Sequence, residues 1–147
     1  MIIDGLLLFS SAQDLTTGTI TSTNVIDLQN ARDMGPGEKP LRLACYVVTG
    51  FATTDAGTLT IQLQGSTDNA TYNIYAQSRA YTAGELTAGA KLAPFDWPNV
   101  AVGALPRYLR LAYVMGALHF TPGSVTAMLV LDREDRVNYP AGINIAN

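Results

Sequence analysis

The chain has 147 residues, of which 48% are hydrophobic and only 14% charged. That length fits one domain able to bury its own core, and the low charge excludes disorder while leaving neutral surface for a partner to cover. Nine basic against twelve acidic residues lack the basic footprint of a nucleic-acid binder, and one cysteine with one histidine excludes a disulfide framework and a His/Cys zinc site.

The opening segment Met1–Ser10 is briefly apolar, but Asp4 interrupts it and no Lys or Arg precedes it, so no targeting segment is expected. No stretch approaches the roughly 20 apolar residues that cross a bilayer, so no membrane partner is expected. Gln13-Asp14 and Asn30–Arg32 suggest brief turns. Thr19–Leu28, rich in Thr and β-branched residues, predicts a strand. Met34–Pro40, with two glycines and two prolines, breaks helix and strand alike. Leu41–Thr49 predicts the next strand, with Cys45 in its middle.

Thr58–Gln64 alternates most cleanly. Leu59, Ile61 and Leu63 fall on one face, and Thr58, Thr60, Gln62 and Gln64 on the other. Gly65–Ala70 reads as a hairpin or short loop, because Asp and Asn bond their own backbone and tolerate left-handed geometry. Thr71–Gln77 predicts a strand with Tyr72, Ile74 and Ala76 on one side. Gly84–Gly89 suggests a loop or helical turn. Lys91–Phe95 suggests a short edge strand, with Pro94 denying it a central place. Asp96–Asn99 reads as a turn. Tyr108–Val114 sets Leu109, Leu111 and Tyr113 against Tyr108, Arg110 and Ala112. After a turn at Thr121–Ser124, the apolar run Ser124–Leu131 predicts a last, central strand, expected to pair with Tyr108–Val114 as an antiparallel hairpin. The total is an all-β, single-domain, jelly-roll-like antiparallel sandwich of about eight strands, over residues 1–136, with a C-terminal tail or arm at 137–147.

Each residue type that could carry chemistry has a simpler reading. A Ser/His/Asp arrangement would have to use His119, which sits in Gly116–Phe120, a sequence that reads as a loop, and reads itself as a packed or surface side chain. Cys45 lacks a nearby basic cluster and reads as a buried thiol. The carboxylates of Asp132–Arg136 could hold calcium, but Arg133 and Arg136 neutralise them, and a solvated or interfacial ion-pair segment fits better. Gly35-Pro36-Gly37 lacks the Lys-Ser/Thr end of a phosphate loop. Trp97 and the tyrosines could stack on sugars, although sandwich aromatics more often fill cores and interfaces. The Asn69-Ala70-Thr71 sequon reads as chance. No cofactor, metal or catalytic set is expected. The apolar termini are different: the tail either docks on its own domain or crosses to a neighbour by strand addition.

Several segments together resemble the capsid cement proteins of tailed bacteriophages of the Bordetella-phage type. These are Met1–Asp4 with Leu7–Gln13, Ser22–Leu28, Leu59–Gln64 with Ser66–Asn69, Leu86–Leu92, Pro106–Tyr113 and Phe120–Ala127, running in one order from residue 1 to about 132. The resemblance implies a jelly roll, no enzymatic activity, and a structural role on the outer capsid surface of the virion, bridging joints between major capsid protein subunits. Before assembly the chain would reside in the host bacterial cytoplasm. A homo-oligomer suits a symmetry axis of such a shell, with a dimer expected first and a trimer second. Candidate interface residues are Leu6, Leu7, Leu8 and Phe9 at the start, and Arg133, Glu134, Arg136, Tyr139, Ile143 and Ile145 toward the end. The alternative is a tail or baseplate accessory sandwich that binds carbohydrate.

Overall fold

The computed structural model describes residues 5–16, 18–31, 41–53, 57–92, 95, 98, 105–116 and 120–130. Twelve strands follow in chain order: β1 (Leu8–Leu15), β2 (Thr19–Thr21), β3 (Ile26–Asp27), β4 (Arg42–Thr49), β5 (Ala52–Thr53), β6 (Thr58–Ser66), β7 (Asn73–Gln77), β8 (Tyr81–Thr82), β9 (Lys91–Leu92), β10 (Tyr108–Met115), β11 (Phe120–Thr121) and β12 (Gly123–Val130). Single 3-10 turns occupy Gly5–Leu7 and Ala83–Glu85, and the described residues contain no α-helix.

Sheet A has the order β1-β12-β4-β9. Sheet B has the order β2-β10-β6-β7, with β3 also on β10 and β8 also on β6. A small ribbon pairs β5 with β11. If β2 with β3, and β7 with β8, are each taken as one interrupted strand, and the ribbon is set aside, eight strands remain. Their orders are 1-8-3-6 and 2-7-4-5, the double Greek key of a jelly roll. Its logic is a single long hairpin folded between β6 and β7 and then wound on itself. The nested pairs β6·β7, β4·β9, β2/β3·β10 and β1·β12 fall alternately in sheets B, A, B and A, all antiparallel.

Period-two alternation turns this winding into a core. Leu59, Ile61 and Leu63 of β6, Leu109, Leu111 and Tyr113 of β10, Leu43, Cys45 and Val47 of β4, and Val125, Ala127 and Leu129 of β12 form one buried cluster between the sheets. A polar bridge crosses that cluster. The hydroxyls of Ser10 on β1 and Tyr113 on β10 are 2.7 Å apart and both fully buried, and Ser10 Oγ also donates to Gln13 Oε1 at 2.7 Å. Two glycines make room for rings: a side chain at Gly65 would collide with Tyr75, and one at Gly123 with Phe51.

Three expectations are corrected. Segments 108–114 and 124–131 are not hairpin partners. β10 lies between β6 and β2/β3 in sheet B, while β12 lies between β1 and β4 in sheet A. The second half of β12, from Ala127 to Val130, is apolar on both faces, which suits the middle of a sheet whose outer side is there covered with apolar groups. Second, Gln13 and Asp14 lie inside β1, not on a turn. The strand was hidden because two register breaks disturb its alternation and place both Phe9 and Ser10 in the interior. Third, Ile74 and Ala76 do not share a face. A register break opposite Leu63/Gln64 puts Tyr75 and Ala76 against the core and leaves Ile74 53% exposed.

The expected strand 19–28 is split into β2 and β3, and its link covers the free edge of β1. Asn24 N donates to Phe9 O at 2.9 Å, Asn24 Nδ2 to Leu8 O at 3.1 Å, and Thr23 N to Gln13 Oε1 at 2.9 Å. An occupied edge is protected against pairing with another chain. β9 lies at the other edge of sheet A, as expected for Lys91–Phe95. His119, Trp97, the cluster 132–136 and the tail 137–147 lie outside the described residues.

Candidate docking face

Of the apolar opening, Leu6 is 82% exposed, Leu7 packs partly on the main core, and Leu8 packs on a second cluster. Phe9 is fully buried. This corrects its expected contact role: the register break in β1 turns its ring inward. Arg133, Glu134, Arg136, Tyr139, Ile143 and Ile145 lie outside the described residues. The second cluster lies on the outward side of sheet A, because its residues alternate with core residues along β4 and β12. Ala44, Met128 and Val130 are buried there, with Tyr46 partly so.

The outward side of sheet B is built differently. Its register sets Arg110 of β10 beside Gln64 of β6 and Ile74 of β7. The next outward row has Thr21, Ala112, Gln62 and Gln77. Ala112 is fully buried between longer neighbours, so the row packs tightly although it faces out. Hydrogen bonds run along the face. Arg110 Nε donates to Gln64 Oε1 at 2.9 Å, Gln64 Nε2 to Gln62 Oε1 at 3.2 Å, and Gln62 Nε2 to Gln77 Oε1 at 2.9 Å.

Tyr72 supports Arg110 from one side, with the guanidinium carbon 3.6 Å from the ring centroid. The tip of the β6–β7 hairpin holds that ring in place. Asp68 Oδ1 accepts from Ala70 N, Thr71 N and Ser66 Oγ at 2.8–2.9 Å. Those bonds hold the Asp68 carboxyl down at about 2. Asn69 takes a left-handed conformation, φ +59°, which Asn tolerates better than most residues. Its Oδ1 accepts from the Tyr72 hydroxyl. Desolvation pushes the Tyr72 phenol up, and the Arg110 charge opposes that shift.

Two other cations differ in pairing. Arg107 is bidentate with Asp27, at 2.9 and 3.0 Å, and lies over Tyr108. Its hydrogen bond to Asp27 keeps that carboxyl below its usual range. Arg79 pairs with Glu85, which also accepts from Thr82 N and Oγ1. Arg110 has no carboxylate partner among the described residues.

Cys45 is buried in the core, and desolvation lifts its thiol to about 12, which keeps the nucleophilic thiolate scarce. The described residues hold no group of three or more His, Cys, Asp or Glu side chains placed to bind a metal. Sequence reading did not single out Tyr72, Arg110 or the glutamines as a site. Alternation had marked Gln62, Gln64 and Arg110 as outward, but their meeting on one face required the β6·β10 register.

A search of curated proteins finds none that matches this chain. The family model described as Bbp16 matches residues 9–129, a span that begins in β1 and ends in β12 and so takes in both sheets. The chain therefore belongs to the Bbp16 family, whose name points to a Bordetella phage protein.

Proposed function

We propose that this chain is a non-enzymatic structural protein of a tailed-phage virion. It binds the outer capsid surface and cements joints between major capsid protein subunits. The observation that carries the reading is the family match across the whole sandwich. It coincides with the ordered segments that resemble phage cement proteins.

The physics suits the task. Pressure from packaged genome acts on every joint at once, so each contact can be modest when many copies attach at two points or more. Bridging two subunits requires either two docking surfaces per chain or a homo-oligomer. A dimer is the first expectation and a trimer the second. Leu6, and the charged and apolar residues between Arg133 and Ile145, remain contact candidates in this proposal. Deleting Val137–Asn147 should alter oligomeric state or capsid attachment if the tail is an arm.

The test of the role is copy number in purified virions, by quantitative mass spectrometry against the major capsid protein. Hundreds of copies in a simple ratio to the shell protein are expected. A handful per particle would instead favour the tail or baseplate module that binds carbohydrate, and none would overturn a virion role.

A further inference from the structure

We propose that Arg110 is a carboxylate receptor at the centre of the outward face of sheet B, and that its occupant is an Asp or Glu side chain on the surface of the shell protein. The inference deepens the cement reading and rests on it. Arg110 stands on β10, which has β6 on one side and β2/β3 on the other, so its backbone cannot move without the sheet. Its Nε is committed to Gln64 and its plane lies on the Tyr72 ring. The two terminal nitrogens are left with no described acceptor. A guanidinium presents donors in a flat fork that matches the two oxygens of a carboxylate.

Ordering a long side chain is one of the costs of binding, and here the fold has already met it. The support can be traced residue by residue. Asp68 shapes the hairpin tip, Asn69 takes the left-handed conformation there, its side chain holds the Tyr72 hydroxyl, and the Tyr72 ring carries Arg110. On the other side the amides of Gln64, Gln62 and Gln77 pass hydrogen bonds away from Arg110, each oxygen accepting from the residue before.

Charge decides the class of occupant. Arg107 and Arg79 are each neutralised by a carboxylate of this chain, and among the described residues Arg110 has none. The glutamines and threonines beside it on β6, β7 and β2 are neutral, and the nearest described carboxylate, Asp68, is turned into the hairpin tip, where it accepts from Ser66, Ala70 and Thr71. Ile74, half exposed in the same register row, adds an apolar contact beside the fork. An arginine stacked on tyrosine is a composition common among residues that dominate protein interfaces.

The experiment measures binding of the full chain to purified capsids assembled without it, by co-sedimentation over a concentration series. R110Q should weaken attachment by about tenfold or more while leaving the unfolding midpoint where it was. R110K keeps the charge but loses the fork, and should recover only part of the affinity. Y72L tests Tyr72 as a positioning residue, and should weaken wild-type attachment but not R110Q further. In the second arm the surface carboxylates of the capsids are amidated. Wild-type attachment should fall to near the R110Q level, and R110Q should be indifferent to the treatment.

The inference is overturned if R110Q attaches as tightly as wild type, or if amidation affects both chains equally. Failure of the wild-type chain to attach to any capsid is a different result: it removes the cement reading and this inference with it.

Discussion

On the outward side of sheet A, Ala44, Met128 and Val130 are buried and apolar. On the outward side of sheet B, Gln62, Gln64 and Arg110 are polar and partly open, joined by side-chain hydrogen bonds. The two sheets share one fold and one core, yet these faces follow different rules. A buried apolar outward face acts as additional core, so its side chains contribute to stability and resist change. A polar face held by partly exposed side-chain hydrogen bonds contributes less to stability. Recognition can be written there at small cost to folding.

The largest test of that difference is a matched pair of truncations. Met128→Ala should cost about 2 kcal/mol or more in unfolding free energy, the range for a buried long apolar side chain. Ile74→Ala on sheet B should stay within about 0.5 kcal/mol. Denaturant midpoints measure both, and alkylation of Cys45 offers an independent readout. Its thiol is buried and lifted to about 12, so labelling should follow opening of the core and accelerate in M128A but not I74A. Equal costs for the two truncations would break the comparison.

Tyr113→Phe probes what the two sheets share. The substitution leaves the ring in place and removes the partner of buried Ser10 Oγ, which keeps its bond to Gln13. A loss of about 1–2 kcal/mol is expected, smaller than for M128A, by the same denaturant measurement.

A smaller effect of opposite sign is expected at the register break in β1. Ala12 sits at φ +45°, where an alanine is strained, and it is exposed. Its N–H donates to Thr126 Oγ1 at 2.9 Å, a bond that glycine would keep. Ala12→Gly should therefore stabilise by about 0.5 kcal/mol, the relief of strain outweighing the lost chain stiffness. A drop in the thermal midpoint would show that the strain is absent.

The subtlest prediction concerns acid and the hairpin tip that supports Tyr72 and Arg110. Asp68 ionises at about 2 in the folded chain against an ordinary 3.8. Folding thus favours its charged form. Its contribution is full above about pH 4 and is lost as pH falls toward 2. In Asp68→Asn that part of the acid sensitivity should vanish, so melting curves of the two proteins should converge as pH falls through this window. Parallel curves would mean that the turn does not depend on the carboxylate.

Legibility in the sequence followed the regularity of each strand. β6 and β10 alternate without interruption, and their inward sets are buried as read, from Leu59 to Tyr113. β1 went unread and β7 was misread because a register break adds a residue and reverses the faces beyond it. The site was legible in pieces. Arg110, Gln62 and Gln64 could be placed outward from their own strands. Tyr72 could not be set under Arg110, because a left-handed Asn69 and an Asp68-capped tip decide where its ring goes. Phe9 is the reverse case: apolar and close to the terminus, it reads as contact surface, and the broken register turns it inward.

The sequence by itself determined the all-β class, the existence of a hairpin turn after β6 (read at 65–70, placed by the structure at 67–72) and most inward-facing sets, because alternation and turn chemistry are local and act within a few residues. Tertiary structure decided which strands are neighbours. Segments 108–114 and 124–131 are close in sequence but enter opposite sheets, since each is flanked by strands from distant parts of the chain. It also decided the character of the two outward faces. Whether an outward residue becomes buried apolar packing or open polar surface depends on what lies beside it across the strands, and that is set by register and winding order.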